Sequence, residues 1–273
     1  MMSFIGVDVR IATTALIGNG VIVKNRSKIG EWTKLCGHVR IGEDVSIGDN
    51  VSLAGNITIG NNCVLKDGCH IYGNVTIGES CIIWNACIGG IAEHTMTAQN
   101  TPSGKIEIGD KCVIREFVTI HSSTVKDVTK IGNNCFLMVH SHLGHDVVLE
   151  DDVIISPGGK VGGVSRVMTG AYVGMDSTIH QNTTVGAYAM IGMGAVVVKD
   201  VPPFFTVIGN PAKFLQINER GMLRHGFSAE EISVLKESCF DMVTTNYSHL
   251  RICFQNFDQK RNRNRQTMQR WDK

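Results

Sequence analysis

The sequence predicts an all-β chain: a parallel β-helix of hexapeptide repeats, closed by a small α-helical C-terminal cap. Three observations carry this reading. An aliphatic residue recurs every six positions over most of the 273 residues, small or turn-forming residues follow many of these positions, and the rhythm stops after Pro211. The aliphatics run from Ile17, Val23, Ile29 and Leu35 to Ile77 and Ile83. They return at Ile108, Ile114 and Ile120 and continue from Ile131 to Val197. A hexapeptide period is the mark of a parallel β-helix. Six residues drift around a 3.6-residue helix, and unrelated hairpins would not hold one phase for so long.

Each element follows from that period. Six residues suit a short strand plus a bend, where Gly, Asn and Asp supply the positive φ of a tight corner. Three such units close one triangular turn, so residues 18 apart stack on one edge, with turns about 4.8 Å apart. Each rung hides its aliphatics only against its neighbours, and the hexads make roughly nine or ten turns. The prism is assigned to residues 1–214. Its rhythm breaks at 89–104 and at 122–129 (SSTVKDVT), read as loop excursions and, being long, as binding elements. Residues 215–273 form the cap and a basic tail. Ser228 and Glu231 make a capping box, so a helix starts near Phe227 with Ile232, Leu235, Cys239 and Met242 on one face. Lys260, Arg261, Arg263 and Arg265 read as a solvated tail, with docking of an acidic carrier protein as the alternative.

Composition narrows the function. The net charge of +1 demands no nucleic-acid partner. No apolar run has membrane-spanning length, and the N-terminus lacks a basic region followed by an apolar core. A soluble, cytoplasmic protein is expected. Of nine cysteines, Cys63, Cys69, Cys81, Cys112 and Cys135 recur two places before a column aliphatic. That slot reads as packing in a reducing compartment, without disulfides.

The chemistry is concentrated at 137–146, LMVHSHLGHD, where three histidines share one half-turn. His145, Gly163 and Gln181 are 18 apart and should stack on one edge. Histidine takes a proton from an acceptor near neutral pH, and a bare glycine N–H one rung above could hold the oxyanion of a thioester as it becomes tetrahedral. His140 and His142, taken alone, read as strand-capping or solvent-facing. His121, His140 and His145 resemble the three zinc histidines of the γ-class carbonic anhydrases, and imidazoles from neighbouring subunits could complete such a site. The segment REFVTIHSST and the length of the chain argue against that family, so no metal is expected.

The hexads resemble those of the hexapeptide acyltransferases, which implies a left-handed coil and a homotrimer. The phrases IREFVTIH (114–121), IGNNCFLM (131–138), HLGHD (142–146), HQ (180–181), VVKDVPPF (197–204) and RHGFS (224–228) look like the acyl-ACP–UDP-N-acetylglucosamine O-acyltransferases of lipid A synthesis. The likeness spans roughly residues 106–235. It implies His145 as catalytic base, assisted by Asp146, and Gly163 as the oxyanion donor. On a flat strand, however, adjacent side chains point to opposite faces. His180 and Gln181 would line the donor or sugar site, with His142 from the same motif also on the substrate side. Asn218 and Arg224 would contact the nucleotide and its phosphates. No bound cofactor is implied; acyl-ACP or acyl-CoA is the co-substrate.

Several positions depart from the family pattern. Val164 stands where a second active-site histidine is expected beside the oxyanion glycine. The loop GGIAEHTMTAQNTPSGK lacks the family's substrate-binding lysine, Arg220 replaces a glutamate near the uracil, and His225 replaces an arginine. Met175 and Met193 replace two glycines that leave room for a long acyl chain, and being 18 apart they should stack and occlude it. Extra volume in a packed site costs about 1–3 kcal/mol, which predicts a short or medium acyl group. HDVVLEDDVIISPGGKVGG and IGMGAVVVKDVPPFFTVIGNPAK also resemble acyl-CoA-dependent N-acyltransferases of nucleotide-linked amino sugars, UDP or dTDP, that serve surface polysaccharides such as O-antigen. The leading reading is O-acylation of a nucleotide sugar and the alternative is N-acylation. A catalytically silent scaffold is disfavoured by the retained His145–Gly163–Gln181 edge.

Overall fold

The structure, a computed structural model, describes residues 3–92, 104–237, 247–261 and 266–268. The chain winds as a parallel β-helix. One face carries a 12-stranded sheet whose last strand, Lys213–Ile217, runs antiparallel to Phe205–Ile208. The other strands of that face come one per turn, slightly more turns than the hexads suggest. Most strands are only two residues long, and the inner residue of each is the column aliphatic: Ile29, Ile47, Leu65, Ile83 and Ile114 are all buried. A two-residue strand is marginal alone, so the stacked column holds it in place.

The register is the predicted one. Ile11 stands beside Ile29, Ile29 beside Ile47 and Leu137 beside Ile155, all 18 apart. The excursions stretch the offset locally to 31 and then 23. The first spans fewer residues than expected, because strand Cys87–Gly90 absorbs its start and strand Lys105–Ile108 resumes the coil; residues 93–103 lie outside the described part. The second occupies 122–127, since Val128 and Thr129 open strand Val128–Ile131.

The three edges of the prism differ. On one, Asn61, Asp110, Asn133 and Asp151 each accept from the corner N–H one rung below, at 2.7–2.9 Å. On the next, Glu31 N–H reaches Asp49 at 2.7 Å and Asp49 N–H reaches Asp67 at 2.9 Å. The third edge is built otherwise. Gly37, Gly55 and Gly73 let eight-residue strands run through it, and at Gly55 (φ +129°) a Cβ would lie 2.3 Å from the Gly73 oxygen. Both excursions leave from this edge. Ile88 pairs with Ile120 and Ile120 with Leu143, which puts His145 directly above them.

The cysteine slot is a packing slot. Cys63, Cys81, Cys112 and Cys135 are buried, and each thiol donates to a carbonyl of the next turn at 3.0–3.1 Å.

Helix begins earlier than predicted. A short helix α1 (Glu219–Arg224) precedes α2 (Ala229–Glu237) and α3 (Ser248–Lys260). Six residues are too few for a helical period to show in the sequence. The expected capping box is present: Ser228 N–H donates to Glu231 at 2.8 Å, and Glu231 N–H to Ser228 Oγ at 3.2 Å. Ile232 and Leu235 are buried, while Cys239 and Met242 lie outside the described residues. The tail is less solvated than its charge suggests. Lys260 pairs with Glu150 at 2.9 Å, Arg261 with Asp258 at 3.0 Å, and Met268 is buried where Gln266–Met268 bonds Asp200. Arg263 and Arg265 lie outside the described residues. Among the described residues no helix is long and apolar enough to cross a membrane.

Candidate active site

The third edge carries an ordered dyad. Asp146 sits at a corner with φ +61°, so its side chain does not alternate away from that of His145 as it would on a flat strand. His145 Nδ1 lies 2.7 Å from Asp146 Oδ2, and the Asp146 side chain is fully buried. The second excursion supplies the rest of the cradle. Thr124, Val125 and Lys126 donate their backbone N–H groups to the Asp146 carboxylate, at 3.1, 3.1 and 2.7 Å, and Thr124 Oγ1 adds a fourth donor at 3.0 Å. Asp146 N–H in turn donates to the buried Thr129 hydroxyl at 2.8 Å. Burial alone would push the carboxyl pKa up. The hydrogen bonds from His145 and from the three backbone N–H groups outweigh it and hold the pKa below the ordinary value. Asp146 therefore stays ionised and fixes the proton on Nδ1, which makes Nε2 the atom that accepts one.

Gly163 explains itself by contact. A Cβ there would lie 2.7 Å from His145 Nε2 and 2.9 Å from Cε1, so the imidazole rests on its bare Cα. Val164 N–H donates to His145 O at 2.9 Å, which locks the two rungs together. Among the described residues the Gly163 N–H has no backbone acceptor. Gly163 lies against His145, as the 18-residue spacing predicts.

The remaining site residues divide into two groups. Gln181 and His180 continue the same edge, both exposed, with His180 Nδ1 2.9 Å from Gln181 O. His142 is half-buried, 2.8 Å from Thr119 Oγ1 and edge-on to His121. His140 stacks on Phe117 at a different corner, so His121, His140 and His145 do not gather within the chain. Among the described residues no group of three or more His, Cys, Asp or Glu side chains could hold a metal.

The second group lines a cavity of about 720 Å³ between the coil and α1, which brings together Met175, Met193, Asn218 and Arg224 with Tyr172 and Arg220. Met175 and Met193 stack as expected, Gly194 N–H donating to Met175 O at 2.8 Å, yet both are exposed in the single chain rather than buried. They lie on a different edge from His145. Asn218 has structural duties: its side chain accepts from Gly221 N–H at 3.1 Å as the N-cap of α1, and donates to Tyr188 O at 2.8 Å. Thr124, Val125, Lys126 and Thr129 were not singled out from the sequence. The interrupted rhythm at 122–129 was the signal that could have found them.

Comparisons with known proteins agree with the fold. The hexapeptide-repeat transferase model matches residues 38–69, 56–90 and 129–163, and the model described as UDP-N-acetylglucosamine O-acyltransferase, domain 2, matches 200–268. The chain is similar to the acyl-ACP–UDP-N-acetylglucosamine O-acyltransferase of Thiobacillus denitrificans, 41% identical over 136 residues, 49% of this chain and 53% of that protein. The enzyme of the same name from Burkholderia orbicola is 39% identical over 136 residues, 49% of this chain and 52% of its own. The matched segment thus spans about half the length of these curated relatives. Among solved structures, the Francisella novicida UDP-N-acetylglucosamine acyltransferase superposes with TM-score 0.79 at 25% identity, covering 96% of this chain and 95% of its own. The Acinetobacter baumannii structure gives 0.67 at 29% identity, covering 91% and 88%. The resemblance read from the motifs is borne out.

The dyad has a measurable signature in stability. A carboxyl whose folded pKa is depressed contributes stability that is present above its unfolded value, near 3.9, and is lost as pH falls through the folded pKa. Asp146→Asn should therefore destabilise the protein at pH 7 by about 1–3 kcal/mol. The gap to the unsubstituted protein should narrow at pH 3 in denaturant titrations. A pH-independent gap would contradict the assignment.

Proposed function

We propose that the protein is an acyltransferase that moves an acyl group from the pantetheine thioester of acyl-ACP to a hydroxyl of UDP-N-acetylglucosamine. The observation that carries this is the His145–Asp146 dyad lying against Gly163. Ionised Asp146 holds the Nδ1 proton, His145 Nε2 takes the hydroxyl proton, and the alkoxide attacks the thioester carbon. The oxyanion that forms is held by the Gly163 N–H. As it collapses the C–S bond breaks, and the thiolate leaves with the proton from the imidazolium. No metal or bound cofactor enters this scheme.

The acceptor binds in the cavity beside α1, where Arg220 and Arg224 offer two guanidinium forks to the diphosphate. The coil stacks as a homotrimer, and the active site forms between subunits. Two features support this: the dyad and the methionine pair lie on different edges of one chain, and Met175 and Met193 are exposed in it. The methionines then narrow the acyl channel at the interface and restrict the donor to short or medium chains. His142, His180 and Gln181 border the channel on the dyad side. Residues 1–214 act as the catalytic prism, and 215–273 as the cap that helps bind the nucleotide.

The test is thiol release from two donor–acceptor pairs, with products weighed by mass spectrometry. Turnover of acyl-ACP with UDP-N-acetylglucosamine, giving an ester, is expected; turnover only of acetyl-CoA with a nucleotide-linked amino sugar, giving an amide, would overturn the reading. Met193→Gly should shift the donor preference towards longer chains, since relieving about 1–3 kcal/mol of overpacking is worth roughly tenfold. An unchanged chain-length profile would remove the methionines from the channel.

A further inference from the structure

The second excursion does more than clamp Asp146. Near its end, Lys126 is fixed by the 2.7 Å bond from its N–H to Asp146, and its side chain turns over the next rung, where Nζ lies 3.5 Å from the Val164 oxygen. Val164 adjoins Gly163, and its own N–H is tied to the His145 carbonyl. The ammonium thus stands one rung above Asp146, beside the peptide that follows Gly163. Of its three N–H bonds, the described residues engage one.

We propose that Lys126 is a further catalytic residue, whose ammonium contacts the oxyanion formed at Gly163 and so fills the place that Val164 leaves without a polar side chain.

This rests on the acyltransfer reading. Valine can neither donate a hydrogen bond nor carry charge, whereas the resemblance expects a histidine there. In this chain the cation arrives from the loop instead of from the coil. Burial, followed by the positive charge of Arg166, holds the Lys126 pKa below the ordinary lysine value. A partly dehydrated cation of that kind gains more from a developing oxyanion than a fully hydrated one does. Arg166 itself is engaged with Glu150 at 3.0 Å.

The experiment compares Lys126→Met, Lys126→Arg and the pair Lys126→Met/Val164→His, assayed by thiol release with acyl-ACP and UDP-N-acetylglucosamine. For Lys126→Met, kcat should fall about tenfold to a hundredfold, while KM for each substrate stays within about twofold. The melting temperature should not change, Lys126→Arg should recover part of the loss, and the paired variant should recover more than Lys126→Met alone. An unchanged kcat would overturn the proposal. So would a raised KM at constant kcat, which marks a ground-state phosphate contact, or an equal loss in all variants with a lowered melting temperature, which marks a structural role. Absence of turnover by the unsubstituted protein would instead count against the acyltransfer reading itself, and the inference would fall with it.

Discussion

The register of 18 residues per turn is the constraint on which everything else depends. It forces each column aliphatic onto another, as Ile29 on Ile47, and buries a chain whose strands are too short to persist alone. It also converts sequence spacing into contact. His145 and Gly163 touch because they are one period apart, and a side chain at 163 would displace the imidazole. A one-residue slip would lose the core and the site together.

That constraint makes the prism regular, and function enters where regularity is relaxed. Two edges cap several of their corner N–H groups with Asp and Asn side chains from the rung above. The third edge carries glycines, then the departure points of both excursions, then His145, Gly163 and Gln181. Its shorter excursion uses an irregular backbone to aim three N–H groups at one carboxylate. A flat strand could not do this, since alternate N–H groups point apart. The site is thus a local substitution of loop donors for ladder donors.

Much of this was legible in the sequence. The column aliphatics, the stacking of His145 on Gly163, the Ser228–Glu231 capping box and the Met175–Met193 stack all follow from counting. What counting missed has physical reasons. The orientation of Asp146 depends on a positive φ that spacing does not encode. The role of Thr124, Val125 and Lys126 depends on loop geometry, which has no period to read. Helix α1 is shorter than two turns, and spacing that stacks two methionines does not say whether the pair is buried. The docking of Gln266–Met268 onto Asp200 is a contact between distant segments that composition, basic and polar there, would not suggest.

The central claim is that His145, oriented by Asp146, is the base of an acyl transfer. The most direct measurement is turnover of acyl-ACP with UDP-N-acetylglucosamine by His145→Ala, with melting temperature and oligomer mass recorded on the same preparation. The account predicts a loss on the order of 10²–10⁴ in kcat, with stability and mass unchanged. A variant that keeps its rate would remove the mechanism, whatever the fold resembles.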